Sequence, residues 1–283
     1  MVKFTVERGT AMTKLKHTFK TDILFKLLFT KNPELLKRLV AQLLGITLDS
    51  ITQFEIRNPE MTPEIIGKKF SRLDIVMTVD GQQVDLEVQV ENESDYPERV
   101  MFYWARLFSN SLPAGGNYSE LPRTIIVSII DFILFECEEF RSEYQALEVS
   151  RHTPLSNKMA YYFYELPKLP KAVGGNDLLL LWLALFKADT EEELKQIQAL
   201  GVPELTEAIT AYHSVAASPE FLELERMRTK AQHDEAQALY NERRKEKIEI
   251  ARCMLAEGEH IDKVMRYTGL TRAEIENLCD TDK

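Results

Sequence analysis

Hydrophobic and polar residues alternate from Phe70 to Glu91 (FSRLDIVMTVDGQQVDLEVQVE), with one break at Asp80-Gly81. A two-residue period is that of a strand with one buried face. Asp-Gly is favoured in a two-residue hairpin turn because both central positions need a positive φ. The stretch is therefore predicted to be a β-hairpin, and the turn sets its register. With Val79 facing Gln82, Asp74 falls opposite Glu87 and Arg72 opposite Gln89. Leu73, Ile75, Met77, Val79, Val84, Leu86, Val88 and Val90 then share an apolar face, and the charges lie on the other.

The period changes to a helical one on either side. Asp22 opens an apolar stripe of Leu24, Phe25, Leu27, Leu28 and Phe29, where an acid at the first turn accepts backbone N–H groups and suits the helix dipole. Asn32, Pro33 and Gly45 mark the cap, first turn and stop of a second helix. ITQFEIR at 51–57 reads as a strand, a helix runs from Pro97 to about Leu112, and RTIIVSIIDF and KMAYYFYEL read as strands. Beyond Gly174-Gly175 the texture is helical, including LLLLWLALF, a segment capped by Thr190, and a mixed-charge helix over 223–249 with 7 basic and 7 acidic residues. The last stretch reads as a small helix-turn-helix: Gly258 and Gly269 mark turns, and Thr271 with Glu274 forms a capping box. Its final helix carries Glu274, Glu276, Asp280 and Asp282 against Arg272 and Lys283. Phosphate is repelled there, which favours packing or oligomerisation; the mixed-charge helix is a candidate homodimer contact.

The hairpin's polar face suggests chemistry. Directly opposed Asp74 and Glu87 would have Cβ atoms about 4.5–5.5 Å apart, where two unpaired carboxylates repel. Hard oxygen ligands converging on a point suit Mg²⁺ or Mn²⁺, and Gln89, pointing the same way as Glu87, is placed to orient a water. A solvated amphipathic sheet in which Arg72 neutralises Asp74 explains the same pattern without a metal. Arg99, Tyr103 and Arg106 share one face of the following helix, a position from which arginines can hold a phosphate backbone.

SRLDIVM followed by VDLEVQV resembles the PD-(D/E)xK nuclease superfamily, specifically its recombination-promoting nuclease (Rpn), transposase-like branch, in which Gln commonly stands where the superfamily name has Lys. DILFKLLF, ERVMFYWARLF and RTIIVSIIDFILF resemble the same family, so the likeness spans about residues 17 to 170. The resemblance implies an α/β fold with a restriction-endonuclease-like core, a mixed central sheet flanked by helices in the order α-β-β-β-α-β, over 12–172. An all-helical region follows over 173–283. It further implies a DNA endonuclease linked to recombination or a mobile element. Asp74 and Glu87 hold the metal, the Val88 carbonyl and Asp22 supplement them, and Gln89 positions the attacking water. Mg²⁺ is the implied ion, with Mn²⁺ or Ca²⁺ as alternatives.

Composition trims the options. No apolar run reaches the roughly 18 residues of a membrane span, and MVKFTVERGT lacks a signal-peptide apolar region, so a cytoplasmic protein is expected. Cys137, Cys253 and Cys279 lack metal-ligand spacing. The net charge of −10 sits poorly with DNA binding. Residues 1–72, however, hold 13 Lys and Arg against 7 Asp and Glu, a balance of +6 that leaves −16 for the remainder. Two other function classes stay open: a non-catalytic interaction protein that keeps the nuclease fold, and a helix-turn-helix DNA binder.

Overall fold

The computed structural model describes residues 2–3, 13–58, 75–92, 94–174 and 176–280. They fall into two compact units, one reaching to Glu225 and one starting at Arg226. The sequence boundary near residue 172 separates the sheet from the helices that follow, and those helices up to Glu225 belong to the same unit as the sheet.

In the first unit a short strand, β1 (Val2–Lys3), precedes α1 (Asp22–Lys31) and α2 (Pro33–Leu44). Every residue of α1 from Ile23 to Phe29 is buried. Proline fills the first turn of α2, and Gly45 ends it with a left-handed φ of 67°. There follow β2 (Phe54–Ile56), β3 (Ile75–Val79), β4 (Gln82–Gln89), α3 (Tyr96–Asn110), β5 (Thr124–Ile130), β6 (Arg141–Tyr144), β7 (Met159–Glu165) and β8 (Ala172–Val173). Six strands form one sheet in the order β2-β3-β4-β5-β7-β6, and β1 pairs with β8. The β4–β5 and β5–β7 pairs are parallel and the other pairs of the large sheet antiparallel. A parallel pair needs a crossover, and α3 supplies it between β4 and β5. The mixed sheet with flanking helices is the restriction-endonuclease-like core that the resemblance implied.

The hairpin has the expected register: Val79 pairs with Gln82 and Ile75 with Leu86. Asp80 and Gly81 take φ values of 47° and 77°. Ile75, Met77, Val79, Val84 and Leu86 are fully buried. The apolar face ends sooner than expected, because β4 stops at Gln89 and Val90 is 49% exposed. Leu73 and Arg72 lie outside the described residues.

The sheet's two sides are covered differently. On the side of Leu86, Tyr164 donates its hydroxyl hydrogen to the Leu43 carbonyl of α2. On the other, Tyr96 and Val100 of α3 pack with Ile126, Ile130, Tyr161 and Phe163. After the sheet come α4 (Leu178–Lys187), α5 (Glu191–Gln198) and α6 (Pro203–Ala216). Phe186 stacks on Phe29 at 6.2 Å, which joins α4 to α1. The capping box of Thr190 and Glu193 opens α5. The long α7 (Pro219–Ala256) leads into the second unit, where it is followed by α8 (Ile261–Thr268) and α9 (Arg272–Asp280). Ala251, Val264, Leu270 and Ile275 form that unit's own core. Glu274 accepts from Thr271 N–H at 2.8 Å, closing the expected box.

Asp80 also anchors β2, since its Oδ1 accepts from Thr52 N–H, Gln53 N–H and the Thr52 hydroxyl at 2.8–2.9 Å. The Gln53 N–H, then the Thr52 hydroxyl, holds its carboxyl below the ordinary aspartate value. A depressed carboxyl stabilises the fold above its unfolded value, and that contribution is lost as pH falls through the folded one. The melting temperature of the wild type is therefore expected to fall more between about pH 6 and about pH 3 than that of Asp80→Asn, which keeps the left-handed turn preference without the charge. Circular-dichroism melts at the two pH values check this.

Candidate active site

Along β4 the side chains alternate, so Asp85, Glu87 and Gln89 share the side opposite Leu86. That side would be solvated if nothing covered it. Instead α3 lies there, leaving Asp85 3% and Glu87 5% exposed. The Tyr96 hydroxyl, fully buried at the start of α3, donates to Glu87 Oε2 at 3.4 Å. The Arg99 guanidinium sits 5.1 Å from the centre of the Tyr96 ring, within cation–π range. Ser128 of β5 is the ladder partner of Glu87.

Gln89 closes the strand at the rim. Its carbonyl accepts from the Asp131 N–H at 2.9 Å, and its side-chain Nε2 donates to the Glu91 carbonyl at 3.1 Å. Val88 is half-buried and pairs with Ile129. Asp74 lies outside the described residues. Asp22 begins α1, and its Oδ1 accepts from Ile23 N–H at 2.8 Å, the helix-start role its position suggests. Of the three α3 residues, Arg99 and Tyr103 are half-buried and Arg106 is exposed. Trp104 is a packing residue: it donates to the Thr124 carbonyl at 2.9 Å and stacks on Phe108 at 4.7 Å.

A family model described as PD-(D/E)XK nuclease family transposase matches residues 19–242, which is most of the chain. The chain belongs to that family. A second model, described as the C-terminal HTH domain of the Rpn/YhgA-like nuclease family, matches residues 244–280 and places this PD-(D/E)XK chain in the Rpn branch. No curated protein and no solved structure is significantly similar to it. Membership supports a nuclease-type function, and the helix-turn-helix domain supports contact with DNA. Divalent metals are typical of such nucleases. Among the described residues no group of three or more His, Cys, Asp or Glu is arranged to hold an ion. Oxygen donors on this side, Asp85, Glu87 and Ser128 among them, have the chemistry of a hard-cation site. No helix among the described residues is long and apolar enough to cross a membrane.

Three features escaped the sequence reading. Asp85 stands two residues before Glu87 on the same side, and the D-x-E-x-Q alternation was its signal. Lys26, in the apolar run ILFKLLF, is 1% exposed and lies one turn after Asp22; a charged residue inside so apolar a stripe was the clue. Lys20 was not flagged by any local pattern. It is 8% exposed and its Nζ reaches Asp131 Oδ2 at 2.7 Å and Asp189 Oδ1 at 3.0 Å. Burial pulls its ammonium down, but the hydrogen bonds to Asp131 and Asp189 outweigh that and hold it above the ordinary lysine value.

Removing one member of a buried pair leaves an uncompensated charge, whereas exposed pairs contribute little. Asp131→Ala leaves Lys20 with Asp189 alone and is expected to destabilise the protein by about 2 kcal/mol, less than the loss of a sole partner would. Lys31→Ala, which breaks an exposed pair with Glu220, is expected to cost under about 1 kcal/mol. Urea denaturation of the two variants gives the comparison.

Proposed function

We propose that this chain is a divalent-metal-dependent DNA endonuclease that hydrolyses phosphodiester bonds, in the service of recombination or of a mobile element. The observation that carries the reading is a glutamate, Glu87, held 5% exposed beneath α3 on a polar side of the sheet in a chain of a nuclease family. A buried carboxylate is costly unless it is paired or coordinates a metal. The Tyr96 hydroxyl donates to one of its oxygens and so helps fix the carboxylate beneath α3.

In this reading Asp74 and Glu87 hold the ion, with the Val88 carbonyl and Asp22 as supplementary ligands. Bound there, Mg²⁺ (or Mn²⁺) lowers the pKa of a coordinated water and neutralises charge that builds on the phosphate. Gln89, at the strand end, orients the attacking water. Glutamine carries no charge at that position, so the nucleophile relies on the cation for its activation. Arg99, packed on Tyr96, and Arg106, exposed about two helical turns further along α3, hold the DNA backbone beside the site, with Tyr103 between them. The helix-turn-helix unit adds a second contact with DNA. Its last helix pairs Glu274 with Arg244 at 2.8 Å and Glu276 with Arg272 at 3.9 Å, which offsets part of the repulsion its acids would exert on phosphate.

Plasmid nicking in Mg²⁺ tests this. Glu87→Gln and Asp74→Asn are each expected to lower the rate by at least roughly 100-fold, since even outer groups around a metal are worth 10–100-fold. Both variants should stay folded, and chelation of the metal should abolish nicking by the wild type. Cleavage at the wild-type rate in both variants would refute the assignment. A folded wild type that binds DNA without cutting it, with or without metal, would favour a non-catalytic interaction protein.

A further inference from the structure

Within β5 every residue is buried, and the run Thr-Ile-Ile-Val-Ser-Ile-Ile is otherwise suited to a strand interior. Ser128 breaks it. The residue is 0% exposed, and its Oγ has no hydrogen-bond partner. Thr124, the other hydroxyl of the strand, approaches Gln83 Oε1 and the Pro122 carbonyl at 3.5 Å. Buried hydroxyls are nearly always bonded, and leaving one unsatisfied costs stability.

The direction of the Ser128 side chain follows from the ladders. Its partners are Glu87 on β4 and Phe163 on β7, and paired residues share a side of the sheet. Phe163 packs with Tyr96, Ile126 and Ile130 under α3, and Tyr96 is the residue that bonds Glu87. Ser128 therefore points into the candidate site, with its Cβ about 5 Å from that of Glu87, the spacing of adjacent strands. A serine hydroxyl can donate once and accept twice, which suits it to a water lying between itself and a carboxylate-held cation.

We propose that Ser128 is a positioning residue of the site: its hydroxyl bonds a water in the hydration shell of the divalent ion that Glu87 holds, and so fixes where that ion sits. The inference rests on the metal-dependent reading above. Mg²⁺ keeps several of its waters when bound to protein, so a hydroxyl next to a ligand has a water to engage. The unsatisfied oxygen is then a cost to the metal-free fold that binding relieves, in the way sites trade stability for function.

The test is made on the full chain, with Mn²⁺ binding followed by its paramagnetic resonance and metal-free stability followed by thermal melting. Ser128→Ala removes a methyl-sized polar group without opening a cavity, so its metal-free melting temperature should equal or exceed that of the wild type. Its Mn²⁺ affinity should fall roughly 10–100-fold. Ser128→Cys, which fills the same space with a weakly bonding thiol, should follow it. Glu87→Gln gives the reference for loss of a ligand. Mn²⁺ affinity within twofold of the wild type in Ser128→Ala, while Glu87→Gln loses binding, overturns the role of Ser128 and leaves the nuclease reading standing. A lowered melting temperature with unchanged affinity overturns it as well, in favour of a packing role. A wild type that binds no Mn²⁺ removes both readings together.

Discussion

Two consecutive left-handed residues, Asp80 and Gly81, leave the β3–β4 pair a single register, and the rest of the sheet unit is built outward from it. A shift of β4 by one residue against β3 would exchange the sides of β4, sending Leu86 toward α3 and Glu87 to the opposite side of the sheet. Asp80 reinforces the constraint by binding two backbone N–H groups of the segment before β2. Through β4 the register passes to β5 and β7, so the placement of a serine on β5 beside a glutamate on β4 follows from a turn at the hairpin's far end.

Polar groups are concentrated beneath one helix. Under α3 the sheet buries two carboxylates and a serine among aromatic rings, an arrangement that a fold selected for stability alone would replace with apolar side chains. On the other side of the sheet Leu86, Val127 and Ile129 are buried apolar residues. Lys20 with its two aspartates lies where β5 ends, and Asp131 bonds both the lysine and the Gln89 carbonyl. The β4 end that carries Gln89 is thereby tied to a buried ionic contact.

Local chemistry made much of this legible. The Asp-Gly turn, Pro33 and Gly45 around α2, the Thr190 box and the Thr271 box each announce themselves in a few residues, and the structure has each. The covered polar side was not legible, because alternation tells only that two sides differ and packing of α3 decides how wet the second one is. For the same reason Asp85 passes for a solvated residue. β6 was missed since RSEY has no apolar alternation, and it is a strand only because β7 offers it a ladder. Lys20 depends on Asp131 and Asp189, more than a hundred positions away in sequence, and no window on the chain joins them. Asp74, the expected cross-strand partner of Glu87, lies outside the described residues.

The outermost strands of the six are the shortest, three residues in β2 and four in β6. Their side chains include Glu55 on one and Arg141 and Glu143 on the other. Short, charged margins offer little template for a strand from another molecule. A sheet whose middle is as apolar as β5 would otherwise invite amyloid-like stacking, and these margins make edge-to-edge growth the least favourable way for copies of the chain to meet.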